Sequence, residues 1–220
     1  TDIGGFLSPL GSYFTNEELG TKKAAVIGAG GAARACVHAL ASHGVRILIV
    51  NRTVARAKKL AEEFGAEWAS LDESGIKKMA EFSDLIVQTT SVGMYPETGN
   101  DPLPGYSFLG HELVYDLIYT PRITRFLERA MEKGCKVING EEMLVAQAQA
   151  QFEVTRNGRP SSCSSSNAVA PVTTGAAVGI VRFISSAGSR HGQSSSPVMI
   201  SVGAVMVFIR STRANSDGRR

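Results

Sequence analysis

The stretch VIGAGGAARACVHAL, residues 26–40, followed eleven residues later by NRTVARAKK, residues 51–59, decides how the chain is read. Gly28-Ala29-Gly30-Gly31-Ala32-Ala33 supplies GxGxxA spacing between an apolar strand-like run and a helical pattern. In that spacing the first glycine makes a tight turn and the second lets backbone approach a pyrophosphate. The third position, here Ala33, must be small so that helix and strand pack closely. Free amides and the positive dipole end of the helix would hold the pyrophosphate, which makes Gly28, Ala29, Gly30, Gly31 and Ala32 a candidate dinucleotide cradle.

The second stretch bears on which dinucleotide. An NAD site carries an acid about twenty residues past the glycines to bind the ribose hydroxyls, and that acid would repel a 2′-phosphate. No acid stands here. The strand ends in Asn51-Arg52-Thr53 with Arg56 one turn into the next helix, so two guanidinium groups, a hydroxyl and a helix N-terminus can converge on one anion. That pattern points to NADP. The bland alternative makes Arg52 and Arg56 solvated helix-face residues and Thr53 an ordinary N-cap; Lys58 and Lys59 fall on the solvated face in either case.

Outward from this pair, apolar runs and helical periods alternate. AAVIG (24–28), RILIV (46–50), EWASL (67–71), DLIVQTT (84–90), ELVYDLIY (112–119) and KVI (136–138) read as strands. Helices are predicted over Gly30–His43, Val54–Phe64, about Pro121–Lys133 and Gly140–Arg156. The fold class expected is α/β, a Rossmann-like doubly wound parallel sheet, with ligands at the carboxyl ends of the strands. Three further segments fall at such ends: Thr89-Thr90-Ser91-Val92-Gly93-Met94, Asp116-Leu117-Ile118-Tyr119 with Pro121, and Asn139-Gly140 opening a helix that carries Gln147.

Composition excludes more than it selects. Of 220 residues, 43% are hydrophobic and 20% charged, which suits one globular domain and an appendage. Cys36, Cys135 and Cys163 are too few and too widely spaced for a disulfide framework or a CxxC site, and His38, His43, His111 and His191 are too dispersed for a metal site. Trp68 reads as a core or edge residue of the third strand. The chain opens with no signal-peptide pattern, and its longest apolar run, Val198 to Ile209, is shorter than the roughly 20 residues a bilayer requires. A soluble protein of a reducing compartment is expected.

The net charge of +3 divides unevenly. Residues 161–220 hold six arginines, no lysine, fourteen serines and one acid, a balance of +5 that leaves −2 for residues 1–160. The tail reads as a disordered or weakly structured Ser/Arg-rich extension, with two alternatives: a basic arm, which lacks the clustering and aromatic interleaving of a nucleic-acid binder, or unrelated sequence in place of an ordered ending.

Taken together, TD (1–2), GAGGAARA (28–35), NRT with Arg56, TTSVGM (89–94), DLIY-P (116–121) and NGEEMLVAQA (139–148) resemble the C-terminal part of the shikimate dehydrogenase family over about residues 1–158. The resemblance implies an NADP-dependent oxidoreductase that interconverts 3-dehydroshikimate and shikimate in aromatic amino acid biosynthesis. It divides the chain into an inter-domain helix of the substrate domain (1–20), an NADP-binding Rossmann domain (21–158) and the tail (159–220). It makes Asp2 the catalytic aspartate, although Asp2 also reads as N-cap of the helix FLSPLGSYF. Tyr119 and Gln147 become substrate contacts, Leu117 and Gly140 contacts of the nicotinamide half, and Thr90, Ser91 and Met94 part of the cofactor site. The partners implied are small molecules, with no nucleic acid, no membrane, no metal and no signal for an oligomeric state. The location implied is cytoplasmic, or plastid for a bifunctional parent. The family's catalytic lysine and carboxylate-binding serines lie ahead of the aspartate, so this stretch alone is expected to bind NADP with little or no turnover. A binding module without chemistry, a bifunctional dehydroquinate dehydratase/shikimate dehydrogenase and a quinate substrate stay open.

Overall fold

The computed structural model describes Asp2–Asn157 and, beyond them, Val172–Thr174, Ala177–Gly179, Val198–Val202 and Val205–Ile209. Two compact units divide at Ala150/Gln151, inside the last helix. The first unit contains helices α1 (Asp2–Leu10), α2 (Asn16–Gly20), α3 (Gly31–Ser42), α4 (Val54–Phe64), α5 (Glu73–Met79), α6 (Arg125–Glu132) and the start of α7 (Gly140–Asn157). Strands β1 (Lys23–Ile27), β2 (Arg46–Asn51), β3 (Glu67–Ser70), β4 (Leu85–Gln88), β5 (Leu113–Asp116) and β6 (Lys136–Ile138) form one sheet in the order β3-β2-β1-β4-β5-β6, every pairing parallel.

The sheet is doubly wound because its strands are apolar on both faces. Val26, Ile47, Ile49, Leu85, Val87, Leu113 and Tyr115 join one core with Phe6 and Leu10 of α1, Val37 and Leu40 of α3 and Leu60 of α4. Their chain neighbours Ala25, Ile27, Leu48, Val50, Ile86 and Val114 join a second core with Met79, Phe82, Phe126 and Leu127. Alternate residues of one strand thus feed opposite layers, as both faces of a parallel sheet must be covered. The strand order reverses between β1 and β4, and the crevice at that switch point is where such sheets take ligands.

Most expected elements lie where the sequence places them, with four differences. Helices α2 and α5 were not among the sequence expectations; Thr15 and Glu18 form a capping box on α2, and Asp72 caps α5 by accepting from the Gly75 amide at 3.0 Å. Helix α6 starts at Arg125 rather than near Pro121, because Thr124 is its N-cap and a buried carboxylate fixes Thr124. Asp2 is the first helical residue of α1 and not an N-cap, and α1 stops at Leu10, where Gly11 turns back to bond Leu7 and Ser8 carbonyls. Residues 89–91 and 117–119 leave their strands and form loops at the carboxyl edge. Trp68 lies on the edge strand β3 and is 40% exposed.

The tail expectation and Cys163 and His191 fall largely outside the described residues. Within the second unit, β7 (Val172–Thr174) pairs antiparallel with β8 (Ala177–Gly179), and β9 (Val198–Val202) with β10 (Val205–Ile209). Among the described residues no helix is long and apolar enough to cross a membrane, and no group of three His, Cys, Asp or Glu could hold a metal.

Candidate active site

The glycine turn hangs between β1 and α3. Gly28 takes φ +111°, where a side chain is strained, and a Cβ there would stand 2.4 Å from Thr89 Oγ1. Its amide donates to the Val50 carbonyl at 2.8 Å, tying the turn to the end of β2. Gly30 has ordinary backbone angles, and a Cβ on it would meet nothing within 4 Å. The protein's own packing therefore does not demand glycine at position 30, and the open space in front of the turn suits a ligand that approaches the backbone closely.

That space is a cleft of about 390 Å³ lined by Ile27, Gly28, Ala29, Gly30, Val50, Asn51, Arg52, Arg56, Leu71, Thr89, Thr90, Ser91, Val92 and Pro102. It brings the glycine turn, the β2 end and the loop after β4 to one place. Its lining carries two guanidinium groups and no carboxylate. Arg34, Arg46, Arg122, Arg125 and Arg129 each pair with an acid, whereas among the described residues no acid pairs with Arg52 or Arg56. Two exposed cations without internal partners leave the cleft's outer end electropositive. Thr53 does stand at the N-cap of α4, but its hydroxyl makes no capping bond; the Asn51 side-chain amide holds the Thr53 carbonyl at 2.9 Å instead. The donor set, free backbone amides plus two guanidiniums and hydroxyls, fits a dinucleotide with an additional phosphate.

Beneath the cleft lies a layer of buried polar side chains that sequence reasoning passed over. Gln88, wholly buried, ends β4. Its Oε1 accepts from Thr90 N at 2.9 Å, and its Nε2 donates to Thr90 O at 3.2 Å and Val92 O at 3.1 Å. Asp116, its register partner on β5 and equally buried, accepts from Ile118 N at 3.0 Å and from the Thr124 hydroxyl at 2.7 Å. Burial pushes the Asp116 carboxyl up to about 6, against the pull of its two donors; nearby Asp101 adds to the rise. The only signal in the sequence was a polar residue closing an otherwise apolar strand, as in LIVQ and LVYD.

The remaining candidates are placed apart from that cleft lining. Gln147 Nε2 donates to Asp2 Oδ1 at 3.0 Å, which joins α1 to α7 across 145 positions of sequence. Leu117 and Gly140 are in contact: a Cβ on Gly140 would lie 2.1 Å from the Leu117 carbonyl oxygen, and the Gly140 amide donates to Ile118 O at 3.1 Å. Tyr119 is half-buried in the loop after β5, and Met94 is exposed in the loop after β4. Gly31, Ala32 and Thr53 flank the cleft in sequence but do not line it. Gly31 shares a second groove with Asp2, Arg34, His38, Glu63 and Phe64. Lys22 and Lys23 stand at the amino end of β1, opposite the glycine turn.

Comparison with known proteins bears on the family and the fold. The profile of the shikimate / quinate 5-dehydrogenase family matches residues 12–95. The shikimate dehydrogenase (NADP(+)) of Caldanaerobacter subterraneus subsp. tengcongensis is 43% identical over 156 residues, covering 69% of this chain and 55% of that protein. A chloroplastic bifunctional 3-dehydroquinate dehydratase/shikimate dehydrogenase of Arabidopsis thaliana is 39% identical over 140 residues, 64% of this chain and 23% of its own length. The crystal structure of Thermus thermophilus shikimate 5-dehydrogenase in complex with NADP(H) and shikimate superposes with a TM-score of 0.61 at 37% identity, over 72% of this chain and 57% of that one. The chain spans about half the length of the curated dehydrogenases it matches. With its parallel six-stranded sheet, glycine turn and shared sequence, the chain belongs to the shikimate / quinate 5-dehydrogenase family.

Proposed function

We propose that this chain is the NADP-binding part of a shikimate dehydrogenase, an enzyme that reversibly reduces 3-dehydroshikimate to shikimate. The observation that carries the reading is the cleft in which the Gly28–Gly30 turn, Arg52 and Arg56 converge without a carboxylate. The backbone of the turn would receive the pyrophosphate, and Arg52 and Arg56, with Asn51 and Thr53 beside them, the 2′-phosphate. Thr90 and Ser91 would close the cleft's other wall. Leu117 and Gly140 would meet the nicotinamide half with main-chain and apolar surface, the kind of contact that fixes a flat ring. When bound, the cofactor supplies the hydride; the chain binds, orients and excludes water.

Asp2 is the residue proposed to act on the substrate's reacting oxygen, with Gln147 and Tyr119 as substrate contacts. The Asp2–Gln147 hydrogen bond supports this by holding the carboxylate in a fixed direction and leaving its second oxygen to accept. A chain spanning about half of its relatives is expected to bind NADPH yet turn over 3-dehydroshikimate slowly or not at all by itself. The Arabidopsis match keeps a bifunctional parent as a second reading.

Fluorescence titration of residues 1–220 with NADPH and NADH, alongside an assay with 3-dehydroshikimate, tests the proposal. Tight NADPH binding, weak NADH binding and negligible turnover are expected. Equal affinities would remove the 2′-phosphate pocket, and turnover at the rate of an intact dehydrogenase would remove the claim that this part is inactive alone.

A further inference from the structure

Gln88 is a full hydrogen-bonding side chain spent on one loop. Its amide has one acceptor oxygen and two N–H donors. All three functions go to Thr90 and Val92, at 2.9 to 3.2 Å, from a position with no solvent exposure. Among the described residues the loop it grips is held at few other points: Val92 N donates to the Thr90 hydroxyl at 3.2 Å, Met94 N to the Ser91 carbonyl at 3.1 Å, and Thr89 bonds the Ile27 carbonyl through both its amide and its hydroxyl. Thr89, Thr90, Ser91 and Val92 form one wall of the cleft, and Thr89 also occupies the space a Gly28 side chain would need. The backbone at the base of that wall continues the sheet, because the Gln88 carbonyl accepts from Leu117 N at 3.0 Å. Gln88 itself is not part of the cleft lining.

From this geometry we infer that Gln88 is a positioning residue for the cofactor: its buried amide sets the Thr90–Val92 loop at the distance from the glycine turn that a dinucleotide requires. The inference rests on the NADP reading of the cleft. A loop without its amide clamp samples wider openings, and each nucleotide then bears the cost of ordering it. The clamp acts on the wall shared by every nicotinamide dinucleotide, whereas Arg52 and Arg56 stand where only the 2′-phosphate distinguishes them. Loss of Gln88 therefore weakens NADPH and NADH alike, while loss of Arg52 changes their ratio.

Gln88→Leu, close in size and without polar atoms, is expected to raise the Kd of both NADPH and NADH about tenfold with their ratio kept, since all three hydrogen bonds that hold the wall are lost. Gln88→Glu keeps the shape and one acceptor but sets a carboxylate against the Thr90 and Val92 carbonyls; its protonated form restores one donor. Relative to the unsubstituted chain, its NADPH affinity is expected to recover as pH falls from 8 to 5.5. Both titrations are made well below each variant's Tm, where lost global stability does not alter Kd. Should Gln88→Leu fail to fold, the pH recovery of Gln88→Glu decides the matter alone. Unchanged Kd in both variants, or weakening confined to NADPH, overturns the inference while the pocket reading survives. An unsubstituted chain that binds neither dinucleotide overturns both.

Discussion

The outer end of the cleft and the buried half of the site beneath it differ in how their polar groups are satisfied. At the end of β2, Arg52 and Arg56 are exposed and, among the described residues, paired with no acid. At the ends of β4 and β5, Gln88 and Asp116 are wholly buried and every polar atom has a partner inside the chain. On the proposed NADP reading the outer end keeps its charge for a ligand, whereas the buried layer commits its hydrogen bonds to shaping backbone. Substitutions in the buried half should therefore be read first in stability and in general affinity, and those in the exposed half in selectivity alone.

The largest effect is expected at Gly140. A methyl group there meets the Leu117 carbonyl oxygen at 2.1 Å and two backbone carbons within 3 Å, so Gly140→Ala must move the start of α7 away from β5. A loss of about 4 kcal/mol, measured by urea unfolding, is expected. A loss under about 1 kcal/mol would mean that this junction is soft.

Asp116 comes next, through pH. Its carboxyl is raised from an ordinary 3.8 to about 6 by burial, so the folded chain holds a proton that the unfolded chain has released. The stabilisation from that proton is fully present below about pH 4 and is lost as pH rises through 6. Comparing the unsubstituted chain with Asp116→Asn cancels the other carboxylates. The difference in unfolding free energy is expected to shift against the unsubstituted chain by roughly 3 kcal/mol between pH 3 and pH 7. A flat difference would show that folding leaves the Asp116 carboxyl at its ordinary value and that burial does not govern it.

On the exposed side, Arg52→Ala should leave unfolding unchanged and weaken NADPH by about 2 kcal/mol, some thirtyfold, with NADH hardly affected. Parallel weakening of both would move Arg52 out of the phosphate pocket. The smallest effect is expected for Glu63→Gln, which breaks the two-pronged surface pair with Arg34 beyond the cleft. Exposed pairs contribute little, so a Tm shift corresponding to less than about 1 kcal/mol is expected by calorimetry.

The same contrast explains what could be read from the sequence. The six strands were legible because a parallel sheet covered on both faces writes itself as short apolar runs, and Val54–Phe64 and Lys136–Ile138 match to the residue. Gly28, Asn51, Arg52 and Arg56, which line the cleft together, could be proposed because a positive-φ turn and a run of cations are local features. Gln88 and Asp116 were not legible as a clamp, since a buried polar residue takes its meaning from the loop it faces. Helix α5 was passed over although Asp72 and the Ile76, Met79 spacing mark it, because seven residues make a weak period. The start of α6 was misplaced for a tertiary reason: Thr124 caps the helix where Asp116 holds it. No local pattern could announce that Asp2 and Gln147 share a hydrogen bond.

The central claim is that the end of β2 holds a phosphate, and calorimetric titration with adenosine 2′,5′-bisphosphate and with 5′-AMP tests it with the nicotinamide left out. The bisphosphate is expected to bind at least about tenfold more tightly, an advantage that disappears in the Arg52→Ala, Arg56→Ala double variant. Equal binding of the two nucleotides by the unsubstituted chain would contradict the account.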